Sequence, residues 1–218
     1  MDVKTLSAML GHVSAATTLD IYTHITDDMR LTAAANIEGF VYISMNALYQ
    51  TSISFTSQNL GAGKPERIKP VYRDCILTVL LIGVPMCAFL YFFGRPLLGI
   101  YIAKDDPVYA SVLASGMVRV TYMGLTYFVC GIMETCCGMV RGLGRSWIPM
   151  IVTIFGACVL RIVWIWTFFR WTHTLEMLYI SYPISWIVTA AVHVVCYFVI
   201  WKKLRAKLEQ AAPQTEQA

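Results

Sequence analysis

Three charged side chains stand inside otherwise apolar stretches of this chain: Arg119, Glu134 and Arg161. Near the centre of a bilayer a charge costs at least ~2.5–3.5 kcal/mol on insertion scales. Each of the three therefore needs a partner or water, and each is a candidate for an ion or substrate pathway. Glu134 carries the most useful chemistry, because a buried carboxylate can bind and release a proton or hold sodium. No other metal and no cofactor is expected. Arg119 and Glu134 are fifteen residues apart, ~22 Å along one helix, too far to pair within it. Two readings of Glu134 stay open: cation binding, or a static ion pair with Arg161 on the neighbouring stretch.

A second set of candidates is uncharged. Asn46, Gln50, Ser54 and Ser57, followed by Gln58, recur at three- to four-residue spacing, which gives one helical face a polar lining. In a membrane such a face lines a polar cavity or a helix interface rather than lipid. Two glycine-rich turns, QNLGAGKPERI (Gln58–Ile68) and RGLGRS (Arg141–Ser146), invite comparison with nucleotide-binding loops. The comparison fails. Pro65 occupies the position where a phosphate-binding loop needs Ser or Thr, and Gly142 and Gly144 lack a third glycine at the dinucleotide-binding spacing. Both turns are expected to be tight helix ends beside basic residues, and no enzyme activity is expected.

The elements that hold these side chains follow from composition. The 218 residues are 57% hydrophobic and 14% charged, with a mean hydropathy of +0.60. Soluble domains are about 25% charged, so the excess apolar surface must face a bilayer. Five spans are expected, at about residues 39–61, 75–93, 108–140, 147–169 and 177–201, against the ~20 residues that a ~30 Å hydrocarbon core requires. The first is the most polar. It can cross only with its polar face hidden from lipid. Segments after the first, third and fifth spans carry ten basic residues, and the opposite side has Arg95, Lys104 and Arg170. The positive-inside bias then puts the C-terminus in the cytoplasm of a multi-pass plasma-membrane protein. The seven cysteines fall mostly inside spans with no zinc spacing, and are read as packing residues.

The N-terminal part differs. Up to Glu38 there are two basic and five acidic residues, against 15 and 8 in the remainder. No apolar signal-peptide core is visible in the first 30 residues. The division expected is 1–37, a short helical extension; 38–208, the membrane region; and 209–218, a disordered polar tail.

Two family resemblances sharpen this. NIEGFVYISMNALYQTSISFTSQNLGAGKPERI together with CGIMETCCGMVRGLGRSWIP resembles the multidrug and toxic compound extrusion (MATE) family of cation-coupled antiporters, over about Ala35–Lys207. The resemblance implies an all-α polytopic fold, here the last five helices of the second of two six-helix lobes. It implies export of small organic cations and drugs in exchange for sodium or protons, with Glu134 on the helix where some members carry a coupling carboxylate. Arg119, Arg161, Asn46, Gln50 and Gln58 would belong to the same pathway. The lipid bilayer and a separately encoded N-terminal lobe are the expected partners, since such transporters bind between repeats that rock against each other. The chain alone is not expected to be competent.

Leu10-Gly11-His12 and Thr17-Thr18-Leu19-Asp20-Ile21-Tyr22-Thr23-His24 resemble the C-terminal end of tyrosine recombinases (phage-type integrases). There Tyr22 would match the DNA-attacking nucleophile and His12 a phosphate-stabilising histidine. The family's catalytic arginines and lysine have no counterpart, and the segment lacks the basic footprint of DNA binding. No nucleic-acid partner is expected. The reading is a chimera: an integrase-like remnant joined near Ala33–Glu38 to a truncated transporter lobe. Its alternatives are a recombinase-derived integration protein using Tyr22, and an inactive product.

Overall fold

The computed structural model describes residues 15–101, 104 and 109–215, and side-chain environments between residues 35 and 206. Among them there is no strand. Helix α1 spans Ala15–Gly61, α2 Ile68–Gly99, α3 Tyr109–Gly124, α4 Tyr127–Gly142, α5 Trp147–Thr172, the short α6 Leu175–Tyr179, and α7 Ser181–Thr215. Helices dominate because a backbone in lipid must satisfy its own N–H and C=O groups. α1 runs through the compositional boundary at residues 37 and 38 without a break. Its stretch contains no proline, and Gly39 is its one interior glycine.

Two of the five expected spans differ in detail from the other three. By length and apolarity three helices can cross a membrane among the described residues: Pro65–Gly99, Trp147–Thr172 and Leu175–Ala206. A fourth is the pair α3 and α4, bent by 41°. The single long span expected over 108–140 is therefore broken. Val120–Gly124 winds as a π turn, in which the Leu125 N–H donates to the Val120 carbonyl at 3.0 Å. Thr126 then returns its hydroxyl to the Tyr122 carbonyl at 2.7 Å, a back-bond of the kind that bends helices. α1 is long enough to cross, yet it is too polar to meet the same test.

The two glycine turns are helix ends, as their sequence predicts. At the end of α1, Gly63 has φ +68°, its N–H donates to the Leu60 carbonyl, and the Lys64 N–H donates to the Asn59 carbonyl at 2.9 Å. At the end of α4, Gly144 has φ +78°, its N–H donates to the Arg141 carbonyl, and the Arg145 N–H donates to the Val140 carbonyl at 3.3 Å. Both are Schellman closures, whose left-handed residue is nearly always glycine.

α4 is the hub, packed against α1, α2 and α7. Ten of its sixteen residues are buried. It lies against α1 through small residues: Gly131 meets Met45, Gly138 meets Ser52, and Gly142 meets Thr56. A Cβ on Gly138 would stand 2.9 Å from the Tyr49 carbonyl oxygen. Such glycine-floored contacts let helices approach where lipid offers no hydrophobic drive to association. α2 buries a stripe through Cys75, Val79, Gly83, Cys87, Leu90 and Gly94, and turns Leu81 and Phe92 outward.

α5 behaves differently, with Pro149 its one buried residue. Two π segments, Ile154–Val159 and Ile165–Phe169, flank the α-helical turn that carries Arg161. The extra residue in the first rotates the rest of the helix by ~100°. Arg161 thereby comes onto the same edge as Thr153 and Gly156, which face α7.

Candidate functional site

Glu134 lies on α4 one position before Thr135, a residue of the seam with α1. Its Oε2 is buried and has no hydrogen-bond partner. The static pair with Arg161 does not form. Arg161 donates from Nε to Ser185 Oγ at 2.9 Å. Its guanidinium lies 4.0 Å from the Tyr182 ring centroid and 5.9 Å from that of Trp186. The arginine that could have neutralised Glu134 is committed to α7.

Arg119 is committed as well. Its Nε and Nη2 each donate to a carboxylate oxygen of Glu38 at 2.9 Å, in a bidentate pair whose side chains are 17% and 5% exposed. Sequence reasoning left Glu38 just outside the first span and so missed this partner. The available signal was that Glu38 is the one acidic residue adjoining that span. Through Glu38, Arg119 ties α1 to α3.

The polar face of α1 is only partly hidden. Asn46 is half-buried, while Gln50, Ser54, Ser57 and Gln58 are exposed. The side chains α1 does bury are others: Ile37, Glu38, Val41, Met45, Ser52 and Thr56 among the described residues. Ser52 Oγ donates to the Thr135 carbonyl at 3.3 Å. The face expected to be concealed is thus open, and Gln58 turns its amide to Ser54 Oγ at 3.2 Å.

Helical phase nevertheless brings this face and Glu134 to one flank. On α1, Tyr49, Asn46 and Gln50 succeed one another around from the seam. On α4, Tyr127, Glu134 and Arg141 recur at intervals of seven and flank the same seam. Arg141 identifies the shared side, since its Nη1 donates to the Tyr49 hydroxyl at 2.6 Å and its guanidinium lies 5.8 Å from that ring centroid. Arg141 Nε has no partner. Tyr49 and Arg141 are members of the site that sequence reasoning missed. Arg141 was counted among loop cations, although its spacing of seven from Glu134 was visible.

The opposite side of α4 packs on α7 through Cys130, Met133, Trp186 and Ala190. His193 is fully buried one turn further along, with Nε2 3.3 Å from Thr153 Oγ1 and Nδ1 unpartnered. Among the described residues no three His, Cys, Asp or Glu side chains gather as a metal site. The cysteines are free, and most are buried packing residues. Of the integrase-like pair, His12 lies outside the described residues. Tyr22 falls on α1 at a position whose side chain also lies outside them.

This arrangement places a buried carboxylate oxygen without a hydrogen-bond partner, the Arg141 guanidinium and the exposed amides and hydroxyls of α1 on one flank of the helix pair. Comparisons with known proteins identify the fold. A family model described as MatE matches residues 31–167. The "Probable multidrug resistance protein YoeA" of Bacillus subtilis (strain 168) is 23% identical over 151 residues, which are 68% of this chain and 31% of that protein. The solved structure of a MATE in complex with MaL6 superimposes with a TM-score of 0.73 at 17% identity, over 82% of this chain and 39% of the other. An outward-facing multidrug resistance MATE family transporter of the MOP superfamily gives 0.69 at 16% identity, over 88% and 45%. The inward-facing conformation of such a transporter gives 0.65 at 18%, over 83% and 40%. These structures share the fold, and the chain spans about a third of its curated relative and about two fifths of the solved chains. With well over half of its residues matched by the family model, the chain belongs to the MatE family of multi-pass membrane transport proteins.

Proposed function

We propose that this chain is the ion-coupling lobe of a cation-driven efflux system for small organic cations, with Glu134 as the coupling group. The observation that carries the reading is the buried Oε2 of Glu134 with no partner, while Arg161 and Arg119 are both engaged elsewhere. An uncompensated carboxylate in low dielectric is costly. Taking up a proton or sodium relieves that cost, and so does an organic cation. Because one carboxylate serves both, occupation by one disfavours the other, which is the requirement for exchange. Asn46, Gln50 and Gln58 on the open face of α1 supply neutral dipoles along the route, and Tyr49 with Arg141 closes its lower end.

The surface facing away from α2 and α5 is completed in this reading by a second lobe, between which and this one the substrate binds. The ten-cation side faces the cytoplasm of the plasma membrane, with the C-terminus on that side. The test joins this chain to the helices that its two-lobe relatives carry and reconstitutes the product in proteoliposomes. Ethidium movement driven by an imposed sodium or proton gradient is the readout. Glu134→Gln should abolish gradient-driven transport while leaving the protein folded by size exclusion and circular dichroism. Undiminished transport by that variant overturns the role of Glu134.

A further inference from the structure

A recess lies where the end of α4 meets the stretch of α7 from Val195 to Leu204. It encloses about 390 Å³, within the ~300–1,000 Å³ range of small-molecule sites. Its walls are apolar, from Leu143, Ile148, Val199 and Ile200, and two cations, Arg145 and Lys203, stand on it. No carboxylate lines it. Neither Arg145 nor Lys203 makes an ion pair among the described residues.

The backbone fixes where these charges stand. The Schellman closure on Gly144 turns the chain out of α4 and pins Arg145 by its own N–H to the Val140 carbonyl. Lys203 comes two residues after Trp201 on α7, and Trp147, 58% exposed, begins α5 on the same level. Tryptophans near the ends of membrane-length stretches, here Trp147–Thr172 and Leu175–Ala206, mark the headgroup layer of a bilayer. The recess therefore spans the layer where phosphates end and acyl chains begin.

We propose that this recess binds one anionic phospholipid, its phosphate between Arg145 and Lys203 and its acyl chain along Leu143, Ile148 and Val199. Each half of the ligand answers a feature of the site. A water-soluble anion leaves the apolar wall unused, and a zwitterionic lipid brings its own ammonium to two cations. Basic pockets at helix ends on one membrane face attract acidic headgroups by this combination. A neighbouring recess carries two other cations, Lys64 and Arg67, together with Asp74, which is itself paired with Arg73 at 2.9 Å, and it serves as the control.

The experiment is native mass spectrometry of the full chain released from nanodiscs of phosphatidylcholine and phosphatidylglycerol in equal amounts. The expected result is one retained phosphatidylglycerol in clear excess over phosphatidylcholine. Retention should fall about fivefold for each cation removed in Arg145→Gln and Lys203→Gln. It should survive in Arg145→Lys/Lys203→Arg, which guards against a folding defect, and in Lys64→Gln/Arg67→Gln. Equal retention of the two lipids overturns the proposal. So does retention unchanged in the double glutamine variant, or displacement of the lipid by millimolar inorganic phosphate.

Discussion

α4 and α5 are neighbours in sequence and are built mainly from apolar residues, yet they are held in place by unlike means. α4 buries ten of sixteen residues, and its contacts with α1 are made by Gly131, Gly138 and Gly142. α5 buries almost nothing, and carries Phe155, Ile162, Trp166 and Phe168 outward. It touches α7 through a few polar or tight points: Thr153 on His193, Gly156 on Thr189, and Arg161 on Ser185 and Tyr182. Trp164 adds a bond from Nε1 to the Met177 carbonyl at 2.9 Å. In lipid a leucine gains little by moving from a tail to a neighbouring helix, so close backbone approach and hydrogen bonding decide what docks. Apolarity makes a helix cross the membrane, and its small and polar residues decide where it sits.

Substitutions can break that contrast, beginning on the densely packed side. Glu38→Ala strands the guanidinium of Arg119 and should cost about 3–5 kcal/mol, read as a lowered midpoint in thermal unfolding monitored with a thiol-reactive dye on the α4 cysteines. The double variant with Arg119→Leu should recover part of it. Gly138→Val forces a side chain against Ser52 and the Tyr49 carbonyl, and should cost about 1–3 kcal/mol or more in the same assay. Arg161→Met removes one hydrogen bond and two cation–π contacts, about 2 kcal/mol together. Here the loss should be local: protease or solvent access to α5 should rise while the α4 cysteines keep their midpoint. Ile162→Ala, at a lipid-facing position, should leave both readouts unchanged. A large effect there would mean that α5 is covered by protein.

The parts of the fold that sequence made legible are those governed by local chemistry. Cys75–Phe93 has no charge and forms a helix, and both glycine turns close helices with the left-handed residue at Gly63 and Gly144. The MATE resemblance rested on those same turns, and the family match agrees with it. The break in the third span escaped detection, because a π turn at Val120–Gly124 leaves no mark in hydropathy. Ion-pair partners escaped for a related reason. Glu38 and Arg119 are 81 residues apart, and nothing in either neighbourhood names the other. Register on α5 was illegible too, since a 3.6-residue period turns Arg161 away from Gly156 and one added residue turns it back.

The glycine seam between α1 and α4 has a mechanical consequence. With Gly131, Gly138 and Gly142 each seating an α1 side chain, the two helices cannot slide by a turn without driving Met45, Ser52 or Thr56 into backbone. They must therefore travel as one stiff lever. Any tilt of α4 is shared by the Asn46 and Gln50 face of α1. The flexing is left to the π turn and the bend at Leu125 and Thr126, just above that lever.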